Sequence, residues 1–153
     1  MKNRPLTNPS EITDIIKKCL FCHVAMVDQK GLPYVLPFNF GYDEGVIYLH
    51  SSRQGKKIGI LKNNNNVCVA FSADHLLRFQ SKDVACSYSM KYRSVLASGK
   101  VEFIEDPDQK MMALNIIMKQ YTQKEFHFNP PSIKEVCCWK VKIEKIEGRV
   151  YGY

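Results

Sequence analysis

Hydrophobic and polar positions change period several times along this chain, and each change marks an element. Ile12, Ile15, Ile16 and Cys19 fall three and four residues apart, the spacing of one apolar helix face. Asn8, Pro9 and Glu11 ahead of them supply a capping side chain, a first-position proline and the acid of a capping box. A β pattern over residues 20–27 ends in the turn-rich Asp28-Gln29-Lys30-Gly31, and a second over 34–40 completes a hairpin. Asp43-Glu44-Gly45 is turn chemistry, with glycine where a positive φ is expected, and 46–50 forms the returning strand. Ser51 or Ser52 then caps a helix to about Lys62, with Ile58 and Leu61 on its inner face, and the asparagine run 63–66 ends it.

Residues 67–72 (VCVAFS) read as a buried strand, whereas 75–87 keep no period and read as a loop or excursion over one face. Residues 92–104 form a long strand pattern, with Gly99 a candidate bulge or bend. Asp106-Pro107-Asp108-Gln109 opens another helix, whose apolar face is Met111, Leu114, Ile117, Met118 and Tyr121. An aromatic loop over 125–132 carries Phe126, His127 and Phe128; with Trp139 these could wall a pocket, though core is the commoner role. Residues 136–151 alternate, Trp139, Val141 and Ile143 against Lys140, Lys142 and Glu144: one half-buried strand, or two around Glu147-Gly148.

These elements predict about six strands and three helices in a single domain over residues 1–153. Hairpin-like spacing without βαβ alternation predicts an antiparallel barrel with a helix inserted between strands, rather than a doubly wound sheet. A hydrophobic content of 45% and a charged content of 24% fit a globular chain. The sequence has no run long enough to span a membrane, and MKNRPLTNPSEI lacks a signal peptide's apolar core. The expectation is therefore a cytoplasmic protein, no membrane partner, and 6 reduced cysteines. A net charge of +7 favours anionic partners. The basic residues are spread out, and without a helix-turn-helix, zinc-finger or RNA-binding signature nucleic acid is not the expected partner.

Cys19-Leu20-Phe21-Cys22-His23 spells the attachment motif of c-type haem. Such attachment needs export, for which no signal is present. A reactive dithiol gains acidity at a helix start, whereas this pair sits at a helix end. Zinc would need a second ligand pair at the right spacing, so no metal site is expected. Buried apolar thiols at a helix–strand junction are the reading that the context favours.

The charge order around residue 55 is unusual. Lysine and arginine normally belong at a helix C-terminus, yet Arg53, Lys56 and Lys57 crowd this helix start beside Ser51, Ser52 and Gly55. Hydroxyls, open N–H groups, a glycine and cations together describe a phosphate site; a solvated basic helix is the other reading of the same residues. It is not a P-loop, because Gly55-Lys56 lacks the following Ser/Thr and His50 stands where the first glycine belongs.

With these segments placed, the sequence resembles the pyridoxamine 5′-phosphate oxidase-like flavoproteins, and within them the Nim branch associated with 5-nitroimidazole resistance. The likeness is carried by Pro33-Tyr34-Val35-Leu36-Pro37, Ile47-Tyr48-Leu49-His50-Ser51 and Gly55-Lys56-Lys57. Ser89-Met90-Lys91-Tyr92-Arg93-Ser94-Val95, closed by Gly99, adds a second block. The resemblance implies a six-stranded antiparallel Greek-key split β-barrel, and a homodimer with flavin mononucleotide (FMN) at the subunit interface. FAD is the alternative flavin. It implies that Ser51, Ser52, Gly55, Lys56 and Lys57 hold the phosphate, helped by Tyr92, Arg93 and Ser94, and that the ring lies along Leu36-Pro37-Phe38. His50 would lie beside the flavin and give a proton to the reduced acceptor; as a plain structural residue it would hydrogen-bond the loop that follows. The implied function is a flavin-dependent oxidoreductase of nitroimidazole-reductase type, conferring antibiotic resistance by passing two electrons from reduced FMN to a small acceptor. The alternative is a non-catalytic flavin-binding or haem-binding split barrel, with His23 and His50 as haem ligands.

Overall fold

Residues 3–153 of this computed structural model form eight strands and four α-helices. The strands are β1 (Asn3–Leu6), β2 (Cys22–Val27), β3 (Pro33–Phe38), β4 (Phe40–Asp43), β5 (Val46–Ser52), β6 (Asn66–Arg78), β7 (Ser89–Ile104) and β8 (Val136–Tyr151). The helices are α1 (Pro9–Lys18), α2 (Lys56–Asn63), α3 (Pro107–Lys119) and α4 (Pro130–Glu135). All strand pairs are antiparallel, in the order β3-β2-β6-β7-β8-β5-β4, with β1 added alongside β8.

The two ends of that order, β3 and β4, are separated in the chain by Asn39 alone. A sheet whose opposite edges are one residue apart must curl round on itself. Among the described residues no ladder joins β3 to β4 or β5, so the barrel is split. Tyr121, just past α3, pins the crossing: its hydroxyl accepts from the Phe40 N–H at 3.0 Å and donates to the Leu20 carbonyl at 2.9 Å.

Alternate side chains fill the interior. Val24, Met26, Leu49, Val69, Phe71, Val95, Trp139 and Val141 are buried in one cluster, which Ile15 and Ile16 of α1 extend. Burial of this apolar surface, at roughly 25 cal/mol per Å², drives the curl. On the outer face of β5 and β8, Tyr48 and Cys138 join Ala113 and Ile117 of α3 in a second cluster. There the helix backbone lies directly on β4, since a Cβ on Gly41 would stand 2.6 Å from the Ile116 carbonyl carbon.

The helix starts at Asn8 and Asp106 are as the sequence predicts, each side chain accepting from a first-turn N–H. Gly99 adjoins a register shift, and β8 is one strand. Other expectations are corrected. Among the described residues there are eight strands rather than six, because β1 is too short to carry a pattern and the 34–40 run breaks at Asn39 to change partners. Ser51 and Ser52 do not cap α2; they stay in the β5–β8 ladder opposite Cys137 and Val136, and the helix begins after Gly55. The first part of 75–87 is strand, its period hidden by a bulge between Ala73 and Leu76. The 125–132 loop runs into α4, capped by Asn129. On α3 the expected Ile117 is buried and Leu114 packs beside it, but Met111 and Met118 are only half-buried, and the buried face is completed by Ala113 and Lys110, whose ammonium donates to the Val136 carbonyl at 3.2 Å.

Candidate functional site

In β5, Ile47 and Leu49 point into the barrel, so His50 faces outward, half-buried, opposite Cys138 of β8. Burial lowers its pKa from the ordinary value, so the ring is neutral at pH 7. The β4–β5 ladder starts at Phe40 opposite Leu49. Phe38, two residues before Phe40, packs edge-on against Trp139, the β8 partner of Leu49, so the end of β3 lies close to the end of β5.

The next turn folds around its own polar groups. The Ser51 hydroxyl donates to the Ser52 carbonyl at 3.0 Å, and the Ser52 hydroxyl donates to the Gln54 carbonyl at 2.9 Å. The Lys57 ammonium donates back to the Ser52 hydroxyl at 3.2 Å. Gly55, at φ +115° and ψ 169°, occupies backbone space that is essentially closed to other residues. A Cβ there would lie 3.6 Å from the Lys57 nitrogen, so the cation sits over bare backbone. No side chain caps α2 and its first turn holds no acid. Uncapped N–H donors and a lysine, with two hydroxyls that can rotate away from their own loop's carbonyls, make a donor set suited to a phosphate dianion.

The other two cations of the turn point elsewhere. Lys56 lies 4.7 Å from the centre of the Tyr34 ring, which joins the helix start to β3. Arg53 donates to the Lys134 carbonyl at 2.5 Å and reaches Glu105 at 3.9 Å, tying the turn to α4.

Tyr92, Arg93 and Ser94 are not brought to this turn within one chain. They sit near the start of β7, at the far end of the shared neighbour β8: Tyr92, Arg93 and Ser94 lie opposite Tyr151, Val150 and Arg149, whereas Ser51 lies opposite Cys137 at the other end of that strand. Arg93 is engaged instead by Asp74, at 2.7 Å, and its guanidinium lies 4.0 Å from the centre of the Tyr153 ring. Tyr92 stacks on Tyr151.

The C-x-x-C-H residues diverge. Cys19 and Cys22 are buried in the core, where burial raises both thiols, Cys22 to about 12. His23 faces outward, edge-on to Phe21 at 5.4 Å between ring centres. Trp139 is fully buried against Phe38 and walls no surface pocket. Sequence reasoning missed Asp74 and His75; their one signal is that the alternation of 67–73 stops there without a turn motif. Lys110 had no signal at all.

A sequence model of the pyridoxamine 5′-phosphate oxidase family matches residues 8–150. The chain belongs to that family. None of the curated proteins compared matches it. Among solved structures, a candidate 5-nitroimidazole antibiotic resistance protein from Bacteroides thetaiotaomicron superposes with a TM-score of 0.88 at 43% identity, covering 97% of this chain and 87% of that one. The FAD and haem binding protein of Mycobacterium smegmatis gives 0.84 at 19% identity, over 100% and 75% of the two chains. The flavocytochrome of Azotobacter vinelandii gives 0.81 at 21%, over 99% and 70%. At those lower identities the likeness is one of fold. In this member of the pyridoxamine 5′-phosphate oxidase family, every candidate residue from Leu36 to Ser94 lies inside the matched span. No helix among its described residues is long and apolar enough to cross a membrane.

Proposed function

We propose that the protein is a flavin-dependent oxidoreductase that binds FMN and reduces small acceptors of the 5-nitroimidazole class. The observation that carries this is the uncapped start of α2, with Gly55 bare beneath Lys57 and the Ser51 and Ser52 hydroxyls alongside, directly next to an edge strand. That donor set fits the single terminal phosphate of FMN. The 43% identity to a candidate 5-nitroimidazole antibiotic resistance protein supports the choice of acceptor.

Ser51, Ser52, Lys57 and the N–H groups after Gly55 bind the phosphate, and Lys56 closes one side by lying over Tyr34. The free backbone edge of β3 at Leu36-Pro37-Phe38 orients the ring. When bound, the flavin supplies the two-electron chemistry; taking a nitro group to an amine needs three such rounds. His50, held neutral by burial, keeps a proton on one ring nitrogen as a hydrogen-bond donor beside the flavin.

The proposed assembly is a homodimer. Tyr92, Arg93 and Ser94, too far from α2 within one chain, would meet the flavin from the second copy. The outward face of β3, β2, β6 and β7, with Val35, Ala25, Cys68 and Leu96, offers an apolar surface for the contact. The protein is proposed to work in the cytoplasm.

The test is the visible spectrum of the purified protein loaded with FMN, reduced under nitrogen and then mixed with a 5-nitroimidazole. Bleaching followed by re-oxidation at a rate set by the nitro compound is expected. Flavin that stays reduced would leave a binding protein, a Soret band would replace flavin with haem, and no flavin uptake would end the reading.

A further inference from the structure

Strand β6 alternates strictly up to Ala73: Val67, Val69, Phe71 and Ala73 are buried, and Ser72 is exposed. Continued, that alternation would turn residue 75 into the barrel core. Instead the register shifts between Ala73 and Leu76, Asp74 takes φ +56°, and His75 emerges exposed with Nε2 at 2.6 Å from the Ser72 Oγ. The bulge converts a core position into an outward one and sets an imidazole beside a hydroxyl. A left-handed aspartate is uncommon and persists where its surroundings over-determine it. Three elements do so here: Lys18 of α1 at 3.2 Å, Arg93 of β7 at 2.7 Å, and the Tyr153 hydroxyl, which donates to the Asp74 carbonyl at 2.6 Å.

Between this bulge and the end of α1 lies a cleft of about 530 Å³. Its walls include Cys19, His23, Ser72 and His75, and at its mouth Leu20 and Phe21 are 72% and 53% exposed. Whichever of Ser72 and His75 donates to the other, one O–H or N–H is left for a ligand. If the hydroxyl donates, Nδ1–H is free; if Nε2–H donates, the hydroxyl is free. The Asp74 carboxylate is already matched by two cations, so it does not repel an electron-rich group. His23 stands opposite Pro37 across the β2–β3 ladder, so the cleft abuts the strand assigned to the flavin ring.

We propose that this cleft binds the electron acceptor: a flat, single-ring aromatic with one hydrogen-bond-accepting edge, such as a nitro group. Phe21 and Leu20 cover the ring, while His23 and the Ser72–His75 pair bind the nitro oxygens. The inference rests on the flavin reading for what the bound ring then receives, but not for the binding itself.

The test is NMR of ring-labelled histidine, titrating a soluble 5-nitroimidazole into flavin-loaded and flavin-free protein. Of the 4 histidines, His23 and His75 are expected to shift saturably while His127 stays still. His75→Ala and Ser72→Ala should each raise Kd about tenfold, the equivalent of one lost hydrogen bond, without changing flavin absorbance. Shifts at His50 alone, or an unchanged Kd in both variants, overturn the proposal. A protein that takes up no flavin ends the oxidoreductase reading, and the flavin-free titration still decides the cleft.

Discussion

Two turns of this molecule hold a residue at positive φ among cations, and they resolve their charge in opposite ways. At Asp74 the chain supplies its own anion: the carboxylate takes Lys18 and Arg93, and the carbonyl takes the Tyr153 hydroxyl. At Gly55 no acid is present in the first turn of α2, no side chain caps it, and Lys57 can turn only to a hydroxyl and a carbonyl of its own loop. A cation cluster with an internal counter-ion is architecture. Lysines without one, set at open N–H groups, are a place for an external anion. The same contrast explains why Arg93, a phosphate ligand by family resemblance, is held by Asp74 within its own chain.

The sharpest way to break this contrast is Lys57→Ala. Loss of one charge-assisted hydrogen bond, about 1.5–3 kcal/mol, should weaken FMN binding roughly 10–100-fold by fluorescence titration. The urea midpoint of the flavin-free protein should barely move; unchanged affinity would mean that the turn is not an anion site. Next in size is Gly55→Ala, which forces a side chain into the glycine-only region and should lower stability by roughly 1–3 kcal/mol as well as impair flavin uptake. Asp74→Asn keeps a residue that tolerates left-handed backbone and removes only the charge. It should lower the urea-derived stability by about 1 kcal/mol, the range of partly exposed ion pairs, and change flavin affinity less than Lys57→Ala does, because Asp74 reaches the flavin only through Arg93. A flavin defect in Asp74→Asn as large as that of Lys57→Ala would merge the two turns into one site.

The smallest expected effect concerns His50. Its folded pKa lies below the ordinary value because of burial, so the unfolded chain takes up a proton more readily. That contribution is fully present above about pH 6.5 and is lost as pH falls through the lowered folded value. Urea midpoints measured from about pH 7 down to about pH 5 should therefore decline less steeply in His50→Gln than in the natural protein. Parallel slopes would place His50 in solvent.

What could be read from the sequence was local. Asn8-Pro9 and Asp106-Pro107 announce their helices because capping is settled within four residues, and the 136–151 alternation survives because both of its faces are distinct. The anion turn was legible in its residue types, yet its helix starts several residues later than expected, since Ser51 and Ser52 serve as well at a strand end as at a cap. Asn39 looks like one more strand residue until the pairing partners are known. The β6 bulge erases the period that would reveal the strand. Lys110 reads as a surface lysine because only the fold places the Val136 carbonyl above it.

The one-residue link at Asn39 also constrains the order in which the molecule can form. The β2–β3 and β4–β5 hairpins are short-range structures, available within microseconds. β5, however, has its outer partner in β8, the last strand of the chain. The two halves of the proposed flavin site can face each other only once β8 has docked and the long-range pairings have closed. High-contact-order topologies complete such closures on the millisecond-to-second scale. Flavin binding should thus appear in refolding as the final kinetic phase, which makes the cofactor a reporter of barrel closure.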